Sequence, residues 1–148
     1  MKQAILGKAL LGCGMLMLAA CETTPDVPPH PLDGTSWRLI DVETSGTSTR
    51  LNPQLQARHT LTFMRGGKLQ MQLDCNRGNA DWSASMPETY NGTLVISQVA
   101  STRALCPEPS FGEDLAADLP SAMAYTLTPD GKGLVIRARR VAFAFARN

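Results

Sequence analysis

The sequence predicts an α+β domain built on an antiparallel sheet of about eight strands with one helix. Three patterns support this. Residues 68–73 alternate strictly, with Leu69, Met71 and Leu73 on one face and Lys68, Gln70 and Gln72 on the other, as a half-buried strand requires. The turn-forming pairs Gly66-Gly67, Asn91-Gly92 and Asp130-Gly131 divide the chain into short β-like runs. A helical spacing appears only in residues 110–123, where Phe111, Leu115, Leu119 and Met123 recur every fourth residue.

The elements follow in order. Residues 36–43 alternate around Trp37, Leu39 and Asp41, and residues 60–64 place Leu61 and Phe63 on one face. With the turn Arg65-Gly66-Gly67 and residues 68–73 they form a hairpin. Short strands are expected at 79–83, carrying Trp82, and at 93–99, carrying Leu94 and Ile96. Ser110 is the expected helix N-cap, with Glu113 at capping-box spacing, and Pro120 should kink or divide the helix. Strands at 124–128, 133–138 and 141–146 close the chain. Trp37 and Trp82 read as core anchors, His59 as a surface or cap residue at a strand start, and Asp74, Asp81 and Glu88 as loop charges.

The N-terminal residues have a different character. Met1 to Lys8 carries two positive charges, Lys2 and Lys8, and residues 9–20 form an apolar run of twelve. A membrane span needs roughly 20 apolar residues, so this run reads as the core of a signal peptide covering residues 1–20. It ends in Leu18-Ala19-Ala20-Cys21, which resembles the lipobox of bacterial lipoproteins. That resemblance implies cleavage before Cys21 and acyl chains on its sulfur, enough to hold the protein firmly to a membrane. Glu22, where an aspartate would signal inner-membrane retention in enteric-type bacteria, points to the outer membrane, with the domain facing the periplasm. Residues 21–32 contain Pro25, Pro28, Pro29 and Pro31 and read as a stiff tether holding the domain clear of the bilayer. Residues 33–148 form the single domain.

Loss of Lys2 and Lys8 leaves 12 basic against 13 acidic residues. Nothing in this balance suggests nucleic acid, and the Arg137, Arg139 and Arg140 cluster reads as a solvated strand end. Cys13 leaves with the signal peptide and Cys21 is the lipidation site, so Cys75 and Cys106 remain in a compartment that permits disulfides. The preferred reading is a structural disulfide. The alternatives are a metal site helped by His59 and Asp74, or a catalytic thiol served by His59.

Four segments then carry a resemblance. Gly34-Thr35-Ser36-Trp37-Arg38-Leu39 opens the domain, and Leu61-Thr62-Phe63 precedes a glycine turn. Asp74-Cys75-Asn76-Arg77-Gly78 and Ala100-Ser101-Thr102-Arg103-Ala104-Leu105-Cys106-Pro107 follow, before the helix and a last phenylalanine-containing strand. In this order, over residues 32–145, they resemble the META domain, the HslJ-like family. The family usually has glycine where this chain has Asp74, and Pro120 interrupts the helix. The resemblance implies a curved antiparallel sheet or partly open β-barrel packed on one helix, with Cys75 and Cys106 close together. It supplies no catalytic chemistry or cofactor. It links the chain to envelope stress and, through fold similarity, to pilotin-like secretion accessories.

Asn76, Arg77, Ser101, Thr102 and Arg103 flank the two cysteines and make a candidate polar site. The competing and preferred reading is structural. In it Asn76 and Ser101 satisfy backbone groups in two abutting loops, and Arg77 and Arg103 pair with Asp74 or Asp81. No serine, carboxylate pair or phosphate loop has catalytic spacing, so the expected function is non-enzymatic: a membrane-anchored lipoprotein that binds another envelope component, such as an envelope protein, or helps its assembly. A second reading places an acyl chain between helix and sheet, near Phe63, Met71, Leu115 and Leu119.

Overall fold

The computed structural model describes residues 28–148. The expected signal peptide, Cys21 and the expected tether as far as residue 27 lie outside the described residues. The elements are β1 (Thr35–Thr44), β2 (Thr47–Arg50), α1 (Pro53–Arg58), β3 (His59–Met64), β4 (Lys68–Leu73), β5 (Asn76–Ala84), β6 (Asn91–Ile96), β7 (Ala100–Ser101) and α2 (Gly112–Asp118). A 3-10 turn (Leu119–Ser121) then leads into β8 (Ala122–Leu127), β9 (Gly133–Ala138) and β10 (Val141–Arg147).

Eight of these strands close into an antiparallel barrel, in the order β1-β3-β4-β5-β6-β8-β9-β10 and back to β1. The expected sheet was open or only partly closed; it is closed. The reason lies in β1, which bonds β3 through residues 35–38 on one edge and β10 through residues 37–44 on the other. A register shift between Leu39 and Asp41 marks a bulge there, which adds the bend that closure needs. The bulge also reverses the alternation, so Val42 is buried where simple alternation puts Asp41. β2 extends the sheet from the end of β1, and β7 pairs with β5.

An eight-stranded barrel is just wide enough for its own side chains to fill. Trp37, Phe63, Tyr125, Phe143 and Phe145 do so here, within one continuous core. Trp37 Nε1–H donates to Thr35 Oγ1 (2.7 Å), whose hydroxyl donates to Leu32 O (2.6 Å), so the buried indole is satisfied. Outward positions on β3 and β4 are Thr60, Thr62, Gln70 and Gln72. This apolar-in, polar-out pattern is the reverse of a barrel that faces lipid.

The two ends of the barrel differ. At one end, where β3 ends and β4 begins, the chain enters through His30 and Leu32. His30 Nε2 lies 2.9 Å from Ser85 O and 3.1 Å from Tyr125 Oη, and the imidazole packs edge-on against Trp82 and Tyr125. Packing therefore reaches back into the last residues of the expected tether. At the other end α2 plugs the opening with Leu115, and the 3-10 turn adds Leu119, both fully buried.

The helix departs from expectation. Residues 110–123 predict one kinked helix, but α2 is only seven residues long and Pro120 sits in the 3-10 turn that ends it. Met123 is consequently on β8 and exposed. Ser110 does not cap: the N-cap position is Phe111, which has no side-chain bond there. Gly112 explains the shift, because a Cβ at that position would collide with Leu73 O. The helix starts where the backbone can press against the end of β4.

Candidate functional site

The plugged end gathers the residues that flank the cysteines. Cys75 and Cys106 form a disulfide with a Cα–Cα distance of 5.6 Å, which ties the start of β5 to the loop before α2. The pairing leaves neither thiolate free as a metal ligand or nucleophile. Beside it, Asn76 is buried and stitches the same loop. Its Oδ1 accepts from Thr102 Oγ1–H (2.9 Å) and Ala104 N–H (2.7 Å), and its Nδ2 donates to Ala104 O (2.9 Å). Arg77 N–H donates to Thr102 Oγ1, and Thr102 N–H donates to Arg77 O. One amide thus spends its hydrogen-bonding capacity on the loop, which is the structural role the sequence favours for it.

That stapling has an outward consequence. Leu105, between Ala104 and Cys106, is 98% exposed. A cleft of about 310 Å³ runs past it, bordered by Cys106, Glu108, Ser110, Glu113 and Asp114. A second cleft of about 370 Å³ lies between α2 and the loop of residues 98–103, with Asn76, Ser101, Thr102, Arg103 and Glu113 on its walls. Four of the five candidate polar residues therefore meet at one cleft. Arg77 does not join them; it lies on the barrel wall with Thr60, Gln70 and Asn79. The carboxyl of Asp114 is pushed above the usual aspartate range, first by burial and then by Asp118, Glu113 and Glu108.

The expected charge pairs are redistributed. Asp81 pairs with Lys68 (2.6 Å), a contact exposed on both sides, rather than with either arginine. Asp74 faces Arg58 on α1, whose Nη1 lies 2.8 Å from Oδ1. Asp74 is no loop charge: it is buried, and neither carboxylate oxygen gains an aligned hydrogen bond. Its φ of 63° is left-handed backbone, which glycine adopts freely and aspartate tolerates.

His59 was expected at the surface. It is fully buried. Its Nδ1 lies 2.7 Å from Leu55 O in α1 and its Nε2 3.1 Å from Phe111 N. Phe111 N–H can only donate, so Nε2 accepts and Nδ1–H donates, and the ring is the neutral Nδ1 tautomer. Burial, the largest cause, lowers its pKa below 6.5, against the opposing pull of the Leu55 bond and Asp74. Its place opposite Leu73 in the β3–β4 ladder is what turns it inward. The alternating apolar residues that follow, Leu61 and Phe63, share its face and carried that signal.

The acyl-chain reading requires a void near Phe63, Met71, Leu115 and Leu119. All four belong to the continuous core, and Phe63, Leu115 and Leu119 are fully buried.

The profile of the META domain family matches residues 30–148. This chain belongs to the META domain family. The META domain therefore accounts for nearly every described residue, from His30 inside the barrel end to Asn148. None of the curated proteins matches the chain. Two solved structures share the fold. An NMR structure of a protein from Burkholderia xenovorans is 18% identical, with a TM-score of 0.55 over 90% of this chain and 99% of its own. A 1.00 Å crystal structure of a DUF4847 family protein from Bacteroides vulgatus is 16% identical, with a TM-score of 0.52 over 78% and 93%. At such identities the likeness is one of fold alone. Within the META domain the left-handed backbone at Asp74 gives a physical reason for a glycine at this position.

Proposed function

We propose that this META domain protein is a lipid-anchored binding module of the bacterial cell envelope, held by acyl chains on Cys21 at the outer membrane, facing the periplasm, and not an enzyme. The observation that carries the binding role is the stapled loop. Leu105 is 98% exposed and is held out from a fixed backbone, between a disulfide cysteine and an asparagine-bonded alanine, on the rim of a cleft. Ordering the loop in advance removes the entropy that a flexible loop loses on binding. The partner on this reading is another envelope protein that buries Leu105. The Leu18-Ala19-Ala20-Cys21 motif supports the anchor.

Affinity capture of the intact lipoprotein from solubilised envelopes tests the reading. A partner retained by the native chain and lost with Leu105→Ser, at unchanged melting temperature, is the expected result. A partner held equally by both forms, or no reproducible partner and no envelope phenotype on deletion, contradicts it.

A further inference from the structure

We propose that the barrel end bearing Met64, Met86 and Tyr90 rests on the membrane that carries Cys21, so that the disulfide-stapled loop faces away from it; this rests on the reading of Cys21 as the lipid anchor.

The first support is where the tether ends. His30 is fixed against Ser85, Tyr125 and Trp82, at the end of the barrel where β3 finishes and β4 starts. Nine residue steps separate it from Cys21, and a chain of that length spans at most about 32 Å. The anchored end is thereby defined, and it cannot stand far from the bilayer. That span is an upper limit on the clearance, and a domain seated on the bilayer lies within it.

The second support is what this end displays. Three of the six large apolar side chains exposed on the domain belong to it: Met64 (39% exposed), Met86 (52%) and Tyr90 (40%). They come from separate segments. Met64 ends β3, where its carbonyl accepts from Trp82 Nε1–H. Met86 follows Ser85, which the His30 ring contacts, and Tyr90 O accepts from Leu127 N–H at the end of β8. Arg65 occupies the adjoining β3–β4 turn. Tyrosine favours the membrane–water interface, and methionine adapts to irregular apolar surroundings.

The third support is the separation of the two ends. β4 runs from Lys68, opposite Asp81, to Leu73, opposite Asn76, a rise of about 17 Å. Cys75, Cys106 and Leu105 lie at the Leu73 end. A domain seated on its His30 end therefore presents Leu105 and its neighbouring clefts to the periplasm.

The test uses the full lipidated chain in vesicles of phosphatidylethanolamine and phosphatidylglycerol. An environment-sensitive fluorophore is placed on M86C, Y90C or L105C, and quenching by doxyl-labelled phospholipid is read. Mass spectrometry of the Cys21 peptide is read on the same samples. The expected result is an acylated Cys21, quenching at positions 86 and 90, and none at 105. Acylated Cys21 with positions 86 and 90 both unquenched overturns the seating and leaves the anchor standing. Quenching at 105 alone overturns it by inverting the orientation. A Cys21 peptide without acyl mass overturns both the anchor and the seating.

Discussion

Lowering the pH from 7.5 to 5.5 should destabilise the domain through His59 alone by a predictable slope. The neutral ring joins α1 to the entry of α2, donating to Leu55 O and accepting from Phe111 N–H. A proton on Nε2 would turn that acceptor into a donor facing another donor, inside the core. Burial and this mismatch both favour the neutral ring, and the folded pKa lies below 6.5. The sign follows: above pH 6.5 both states are neutral and the full contribution is present. As the pH falls below 6.5 the unfolded chain takes the proton first, and stability is lost until the folded pKa is reached. One proton sets a ceiling of about 1.4 kcal/mol per pH unit. The assay is urea denaturation of the disulfide-bonded domain at pH 7.5, 6.5 and 5.5, compared with His59→Gln. That variant cannot titrate, so the difference between the two removes the contribution of the carboxylates. Asp114, for example, contributes with opposite sign because its folded pKa is raised. A wild-type-minus-variant difference that stays flat, or that grows as pH falls, would refute the buried neutral histidine.

Three further outcomes follow from single positions. Asp74→Gly should be more stable than Asp74→Ala by about 1 kcal/mol, because both lose the Arg58 contact and only alanine keeps a Cβ at a φ of 63°; equal chemical denaturation midpoints would contradict this. Gly112→Ala should cost about 1 to 3 kcal/mol, since the added Cβ meets Leu73 O and α2 must lift from the barrel end. A melting temperature matching the native chain would show that the helix is seated otherwise. Asn76→Ala should cost only about 1 to 2 kcal/mol, the loop being solvated, yet should abolish hydrogen-exchange protection at Ala104, whose N–H is bonded to Asn76 Oδ1. Retained protection there would mean that the disulfide alone orders the loop.

Much of the barrel was legible because its strands obey a period of two. Residues 68–73 and 133–138 have the bounds the alternation predicts. Closure was not legible, since it depends on β1 bonding two strands at once across a bulge, a pairing far apart in sequence. β2 escaped notice because its four residues are polar and exposed, and α1 because it buries only Leu55, although Asn52-Pro53 is a fair start signal and Asn52 Oδ1 does accept from Leu55 N–H. At the candidate site, the grouping of Asn76, Ser101, Thr102 and Arg103 was readable from their positions around the cysteines. His59 continues the inward face of Leu61 and Phe63, but a polar side chain at the start of an alternating run reads as its edge; Asp74 lies outside any such run. Both are then covered by contacts far apart in sequence or across elements, Arg58 of α1 beside Asp74 and Phe111 at the entry of α2 on His59.

The binding role of the stapled loop is tested most directly by photo-crosslinking in intact cells. A photoreactive residue replaces Leu105 in one strain and Gln70, on the polar barrel wall, in another. The account predicts a discrete adduct with an envelope protein from position 105, none from position 70, and loss of the adduct when Cys21→Ala removes the anchor. Equal labelling from both positions, or no adduct from position 105 in correctly lipidated protein, would contradict it.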